Sequence, residues 1–193
     1  LGLFSQCFWH YSFSTFLAKR DVLSLPPAAH SVRLLSYDDP VPAAKLLMLW
    51  LQAFDNQPGI SIPLLELDYN RVIKWLDLVL TLDNKTHYPL LAAIRFYAEV
   101  QDKVKQKKMI DFVTRKFLEA PNARWQFMAH AVYIAKYRAK DMSLALECAK
   151  MLRLHAKGEN VPYWAKQMEI FVLENMGELE SAMVLIGGLL ESG

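Results

Sequence analysis

Residues 123–156 read ARWQFMAHAVYIAKYRAKDMSLALECAKMLRLHA. Apolar residues recur every three or four positions through Ala123–Ala139 and again through Met142–Ala156. That is the spacing of amphipathic helices, not the alternation of strands. Asp141 stands directly before the second run, where its carboxylate can accept the amides left free in a first helical turn. Only Lys140 and Asp141 separate the two runs, and so short a connection predicts antiparallel neighbours.

The same pattern extends outward in both directions. Ala43–Phe54 is apolar with a charge only at Lys45, and Asp68 precedes Tyr69–Leu82 as an N-cap. Apolar residues surround most of that helix, from Val72 and Ile73 to Leu80 and Leu82, which predicts burial on nearly every side. Tyr88–Val100 puts Arg95 and Glu99, four apart, on one face. Lys103–Leu118 gathers Met109, Ile110, Val113 and Phe117 into a stripe with lysines elsewhere. Val161–Met176, behind Asn160, and Glu178–Glu191 complete the series. No alternating run predicts a sheet. Residues 21–41 hold Pro26, Pro27 and Pro40 and the turn-forming Asp38-Asp39-Pro40, and form a connector in which Val32–Leu35 is a short turn packed on the helices after it.

Four helix pairs therefore begin near residues 42, 88, 122 and 160, and the last two steps are 34 and 38 residues. The first step is longer by an insertion, Asn56–Asp68, that carries Pro58-Gly59 and Pro63. Trp125 and Trp164 recur 39 apart, and Ala145 and Ala182 recur 37 apart. A helix-turn-helix unit of this length is the mark of a solenoid, in which stacked units share the core that none could bury alone.

On these residues the chain resembles the tetratricopeptide-repeat family. Tyr163–Ser192 is the best unit: Gly177-Glu178-Leu179-Glu180-Ser181-Ala182 is similar to the family's inter-helix turn and small second-helix residue, and Pro121 sits where a repeat-ending proline belongs. The first helices lack the family's Leu-Gly pair, and Val72 and Met109 stand at its alanine positions. The resemblance implies an all-α fold over residues 42–193, an α-solenoid of antiparallel helix pairs, and a protein-binding scaffold whose groove is lined by first helices. Arg95, Glu99, Gln126, Tyr133, Lys136, Lys166 and Glu169 are the groove candidates. The last helix, ending Ile186-Gly187-Gly188-Leu189-Leu190, has few charges for a cap, so further residues or another protein are expected to cover it.

Composition sets the outer bounds. The chain has 193 residues, 53% hydrophobic and 22% charged, with 22 basic against 20 acidic side chains; its mean hydropathy is +0.10. Disorder and a disulfide scaffold are excluded. The two cysteines, Cys7 and Cys148, form no framework. Leu1–Ala18, LGLFSQCFWHYSFSTFLA, carries no Asp, Glu, Lys or Arg before Lys19-Arg20. Residues 1–20 are accordingly expected to be a hydrophobic helix and part of a membrane anchor, contacting the bilayer through residues 1–18. No small-residue cleavage site precedes the charges, which argues against a secretory signal. Between Gln101 and Lys157, 13 Lys/Arg face five acidic residues, and a solvated face of paired helices is the plainest reading of that excess.

Chemistry is sparse. His10, His30, His87, His130 and His155 have no metal-binding spacing, and there is no HExxH, cysteine pair, GxSxG elbow, phosphate loop or dinucleotide glycine fingerprint. His130, mid-helix among apolar neighbours, reads as a packing histidine. The expectation is a non-catalytic, membrane-tethered interaction scaffold or assembly subunit with no catalytic residue, metal or cofactor, whose partner is another protein. Two alternatives stand beside it. One is an accessory domain of a larger polytopic membrane enzyme. The other is an anionic-lipid or nucleic-acid binder working through residues 103–157, although the lysines lack the interleaved aromatics that a nucleic-acid surface uses.

Overall fold

A computed structural model describes residues 21–37, 39–57 and 59–191. The anchor expected over residues 1–20 lies outside the described residues. No helix among the described residues is long and apolar enough to cross a membrane.

The fold is mostly helical, as the periodicity predicts. The connector does not run free. Leu23 is buried, Arg71 donates to the Leu23 carbonyl (2.5 Å), and the Trp75 indole N–H donates to the Ser24 carbonyl (2.9 Å). Its apolar patch extends into a helix, α1 (Ala29–Leu35), pinned where Arg33 donates to the Thr81 carbonyl (2.9 Å). Helix α2 (Pro40–Ala53) begins three residues earlier than expected, because a proline at the first helical position lacks only an amide that would have gone unpaired. It turns Ala44, Met48 and Leu51 inward.

The insertion does form a sheet, contrary to expectation, though a minimal one. β1 (Asn56–Gln57) pairs antiparallel with β2 (Ile60–Ser61) across a turn in which Gly59 adopts φ +76°. A 3₁₀ turn at Leu64–Glu66 leads into α3 (Tyr69–Leu82), whose cap Asp68 accepts from Asn70 N (2.9 Å). Val72, Leu76 and Val79 are wholly or almost wholly buried, and α3 packs against α1 and α2 on one side and the next two helices on the other. Tyr88–Val100 is not one helix. α4 (Tyr88–Arg95) stops, and a 3₁₀ turn at Tyr97–Glu99 follows, in which the Tyr97 carbonyl accepts from the buried Tyr69 hydroxyl (2.8 Å).

Asp102 caps α5 (Lys103–Glu119), and the stripe Met109, Ile110, Val113, Phe117 is fully buried together with Phe112. Helix α6 (Pro121–Tyr133) continues into a π-helical segment, Ile134–Arg138, before α7 (Met142–His155). The last expected first helix is also broken. It starts at Tyr163 and splits into α8 (Tyr163–Lys166) and α9 (Met168–Met176), while Asn160 bonds sideways to Asn122. Gly177 ends α9 in the left-handed region (φ +81°), a role suited to a residue without Cβ, and α10 (Leu179–Glu191) follows. The main helix contacts join elements adjacent or next but one in the chain. One core runs from Leu23 to Val172, and a small second cluster, Ile170, Leu173 and Ala182, lies under α10.

Candidate protein-binding surface

The irregular end of α6 shapes the surface. Ala139 N bonds to the Ile134 carbonyl and Asp141 N to the Ala135 carbonyl (both 2.9 Å), so one residue too many is held in the last turns. Such π segments recur at functional sites because they re-aim side chains. Lys140 closes the turn at φ 54°, where a non-glycine residue is uncommon.

Four of the seven sequence candidates gather here. Tyr133 is 43% exposed and Tyr137 is 55% exposed, and their rings lie 5.0 Å apart. His130 packs against the other side of Tyr133 at 5.5 Å, and Lys136 Nζ sits 5.0 Å from the Tyr137 ring centre. Across the junction Glu99 pairs with Arg138 at 2.7 Å. Arg95 and Glu99 both act on His130. Burial chiefly lowers the imidazole pKa and the Arg95 charge lowers it further, against an opposing pull from Glu99. His130 Nε2 is buried without a hydrogen-bond partner, which fits a neutral ring.

The other three candidates do not join them. Gln126 is exposed two turns earlier on α6, and Lys166 is half-buried on α8. Glu169 is buried, with its carboxylate held by Arg153 Nε at 2.6 Å. It is a structural group tying α9 to α7, not an open lining residue. Trp125 and Trp164 meet edge-on at 5.5 Å and join α6 to α8 as packing. Sequence reasoning did not place His130, Tyr137 and Arg138 in the groove. Their signal was present, since positions 130, 133 and 137 share one helical face.

Next to this strip, a cleft of about 590 Å³ opens between the first turn of α5 and the α6–α7 junction. Lys103, Lys107, Lys108 and Lys140 line it, with Asp111 and Asp141. Lys107 is held by Asp111 at 3.0 Å, a bond that raises the lysine pKa. Asp141 accepts from Leu144 N (3.0 Å) and from the Ser143 hydroxyl (2.6 Å). A second, mainly apolar hollow of about 350 Å³ lies among Ala44, Met48, Val79 and Tyr88. Among the described residues no group of His, Cys, Asp or Glu could hold a metal ion.

Taken together, the surface is an aromatic and charged strip on a mostly helical body. Comparison with protein-family models, curated proteins and solved structures finds no match to this chain.

Proposed function

We propose that the chain is a non-catalytic protein-interaction scaffold or assembly subunit, a solenoid of antiparallel helix pairs similar to tetratricopeptide repeats, tethered to a membrane through residues 1–18. Contacts confined to near neighbours in the chain favour the solenoid, as does the direct tie between corresponding points of successive units at Asn122 and Asn160. The uncharged run Leu1–Ala18 favours the tether.

One observation carries the binding role: two neighbouring tyrosines stand exposed at the end of α6, with Lys136 against Tyr137 and the Glu99–Arg138 pair beside them in the chain. Tyrosine and arginine dominate binding hot spots because they offer a large contact area with a polar end. The test is affinity purification of the full-length protein from detergent-solubilised membranes, wild type beside Tyr133→Ala/Tyr137→Ala. A stoichiometric protein partner, lost in the double variant while the melting temperature holds, supports the reading. A chain that purifies alone from the soluble fraction overturns it.

A further inference from the structure

Resting on the scaffold reading, we infer that the partner presents an acidic peptide segment, and that its carboxylates seat in the cleft lined by Lys103, Lys108 and Lys140. These three lysines make no ion pair within 4 Å among the described residues, although the Lys103 charge acts on Asp141; Asp111 is paired with Lys107, and Asp141 caps the first turn of α7. The cleft therefore holds four lysines against two aspartates, and that positive excess draws anionic groups toward it. The helix N-termini that meet here are capped by Asp102 and Asp141, so the lysine side chains supply the attraction.

The cleft begins where the aromatic strip ends in the chain, at Ala139 and Lys140. Glu99 and Arg138 pair across the junction, and four residues beyond Glu99 and two beyond Arg138 the chain supplies Lys103 and Lys140 to the cleft. A segment lying over Tyr133 and Tyr137 would thus run on into the lysines.

Other anionic partners fit less well. A bilayer surface is flat, and these lysines line a concave cleft. Single-stranded nucleic acid relies on free aromatic faces for base stacking. None of the residues that line the cleft is aromatic. A carboxylate side chain needs neither a flat surface nor an open ring, only an ammonium within reach.

The test uses the full chain and a fluorescent peptide rich in Glu and Asp with two central leucines, read by anisotropy. Beside it stand a thymidine oligonucleotide of equal charge and vesicles of phosphatidylcholine with phosphatidylserine. The expected result is saturable, salt-sensitive peptide binding, weakened at least about tenfold by Lys103→Glu/Lys140→Glu. Lys103→Gln/Lys140→Gln should weaken it less, and Lys150→Glu, on α7 away from the cleft, should leave it unchanged. Thermal melts of each variant separate lost binding from lost folding. Absent peptide binding, binding indifferent to the charge reversals, or tighter reversal-sensitive binding of the oligonucleotide or vesicles overturns the inference. A natural partner captured equally well by wild type and Lys103→Glu/Lys140→Glu, but lost from the tyrosine variant, sinks the acidic-segment inference and leaves the scaffold reading standing.

Discussion

Cys148 lies fully buried on α7, and desolvation pushes its thiol up to about 12. Only the thiolate attacks an alkylating reagent, so the folded chain should be inert at that position. In a Cys7→Ser background, iodoacetamide at neutral pH should leave the native protein unmodified and label Cys148 only after denaturation; labelling without denaturant would refute the packing of α7. Asp141 makes the opposite case, a charged group that the fold favours. The Leu144 amide chiefly, with the Ser143 hydroxyl, holds its carboxyl below the usual value. A folded state that binds the proton more weakly than the unfolded chain gains stability above the ordinary carboxylate range and loses it as pH falls through the folded value. Asp141→Ala should therefore cost about 1 kcal/mol at neutral pH, with the gap to wild type closing in acid. A gap of constant size across that range would mean that the carboxylate charge contributes nothing. This cap was legible because an Asp directly before an apolar-periodic run has one evident partner, the amides just ahead of it. Glu169 was not legible, because its partner Arg153 lies 16 residues back on another helix, and periodicity does not tell whether a polar group on a half-buried face meets water or an opposite charge.

Among the elements, helix starts were easier to read than helix breaks. Asp68 and Asp141 mark theirs by side-chain chemistry, whereas Pro121, read as the end of a repeat, is the first residue of α6. The breaks after Arg95 and at Gln167 carry no proline or glycine to mark them. Just past the first of them, the Tyr97 carbonyl receives the Tyr69 hydroxyl from 28 residues away, a tie that periodicity does not show. The π segment escaped notice for a different reason: it ends the helix, so too few residues follow for the phase shift of one extra residue to show. It nonetheless carries Tyr137 and Arg138, and Arg138 pairs with Glu99. Another tie absent from the periodicity joins α6 to the loop after α7. Asn122 Oδ1 accepts from Lys157 N (3.0 Å) and Gly158 N (2.8 Å), while Asn160 donates to the Asn122 carbonyl (3.1 Å). A Cβ on Gly158 would fall 2.9 Å from Asn122 Cγ and 2.7 Å from Asn160 Oδ1, so the loop approaches as closely as it does because that residue is glycine. Asn122→Ala strands two amides, although the exposed site lets water recover part of the loss, and should cost about 1 kcal/mol. Asn122→Asp keeps the acceptors and should cost less in the same chemical denaturation series. Equal losses in both variants would show that the side-chain oxygens do not hold the loop.

For the molecule as a whole, the contact pattern implies uneven stability. When each element packs mainly on its near neighbours, the middle of the array is held from both sides and its ends from one. Helix α3 touches α1, α2, α4 and α5, and Leu76 within it is fully buried. Helix α10 has its main contact with α9 and rests on Ile170 and Leu173 through Ala182. It leaves Leu179, Met183 and Val184 exposed and carries Gly187 and Gly188 within the helix, where each glycine weakens it by about 1 kcal/mol relative to alanine. Local opening should therefore begin there: amides of 179–191 should exchange at least about tenfold faster than those of α3 and α5 under native conditions. Two substitutions of the same chemistry then separate local from global stability. Leu76→Ala should destabilise the whole chain by about 2–5 kcal/mol and speed exchange throughout α3 and α5. Leu173→Ala, at the smaller cluster, should speed exchange in α9 and α10 while leaving α3 protected. Uniform acceleration by both would mean that the chain unfolds as one cooperative block, and that core volume rather than neighbour-to-neighbour stacking sets its stability.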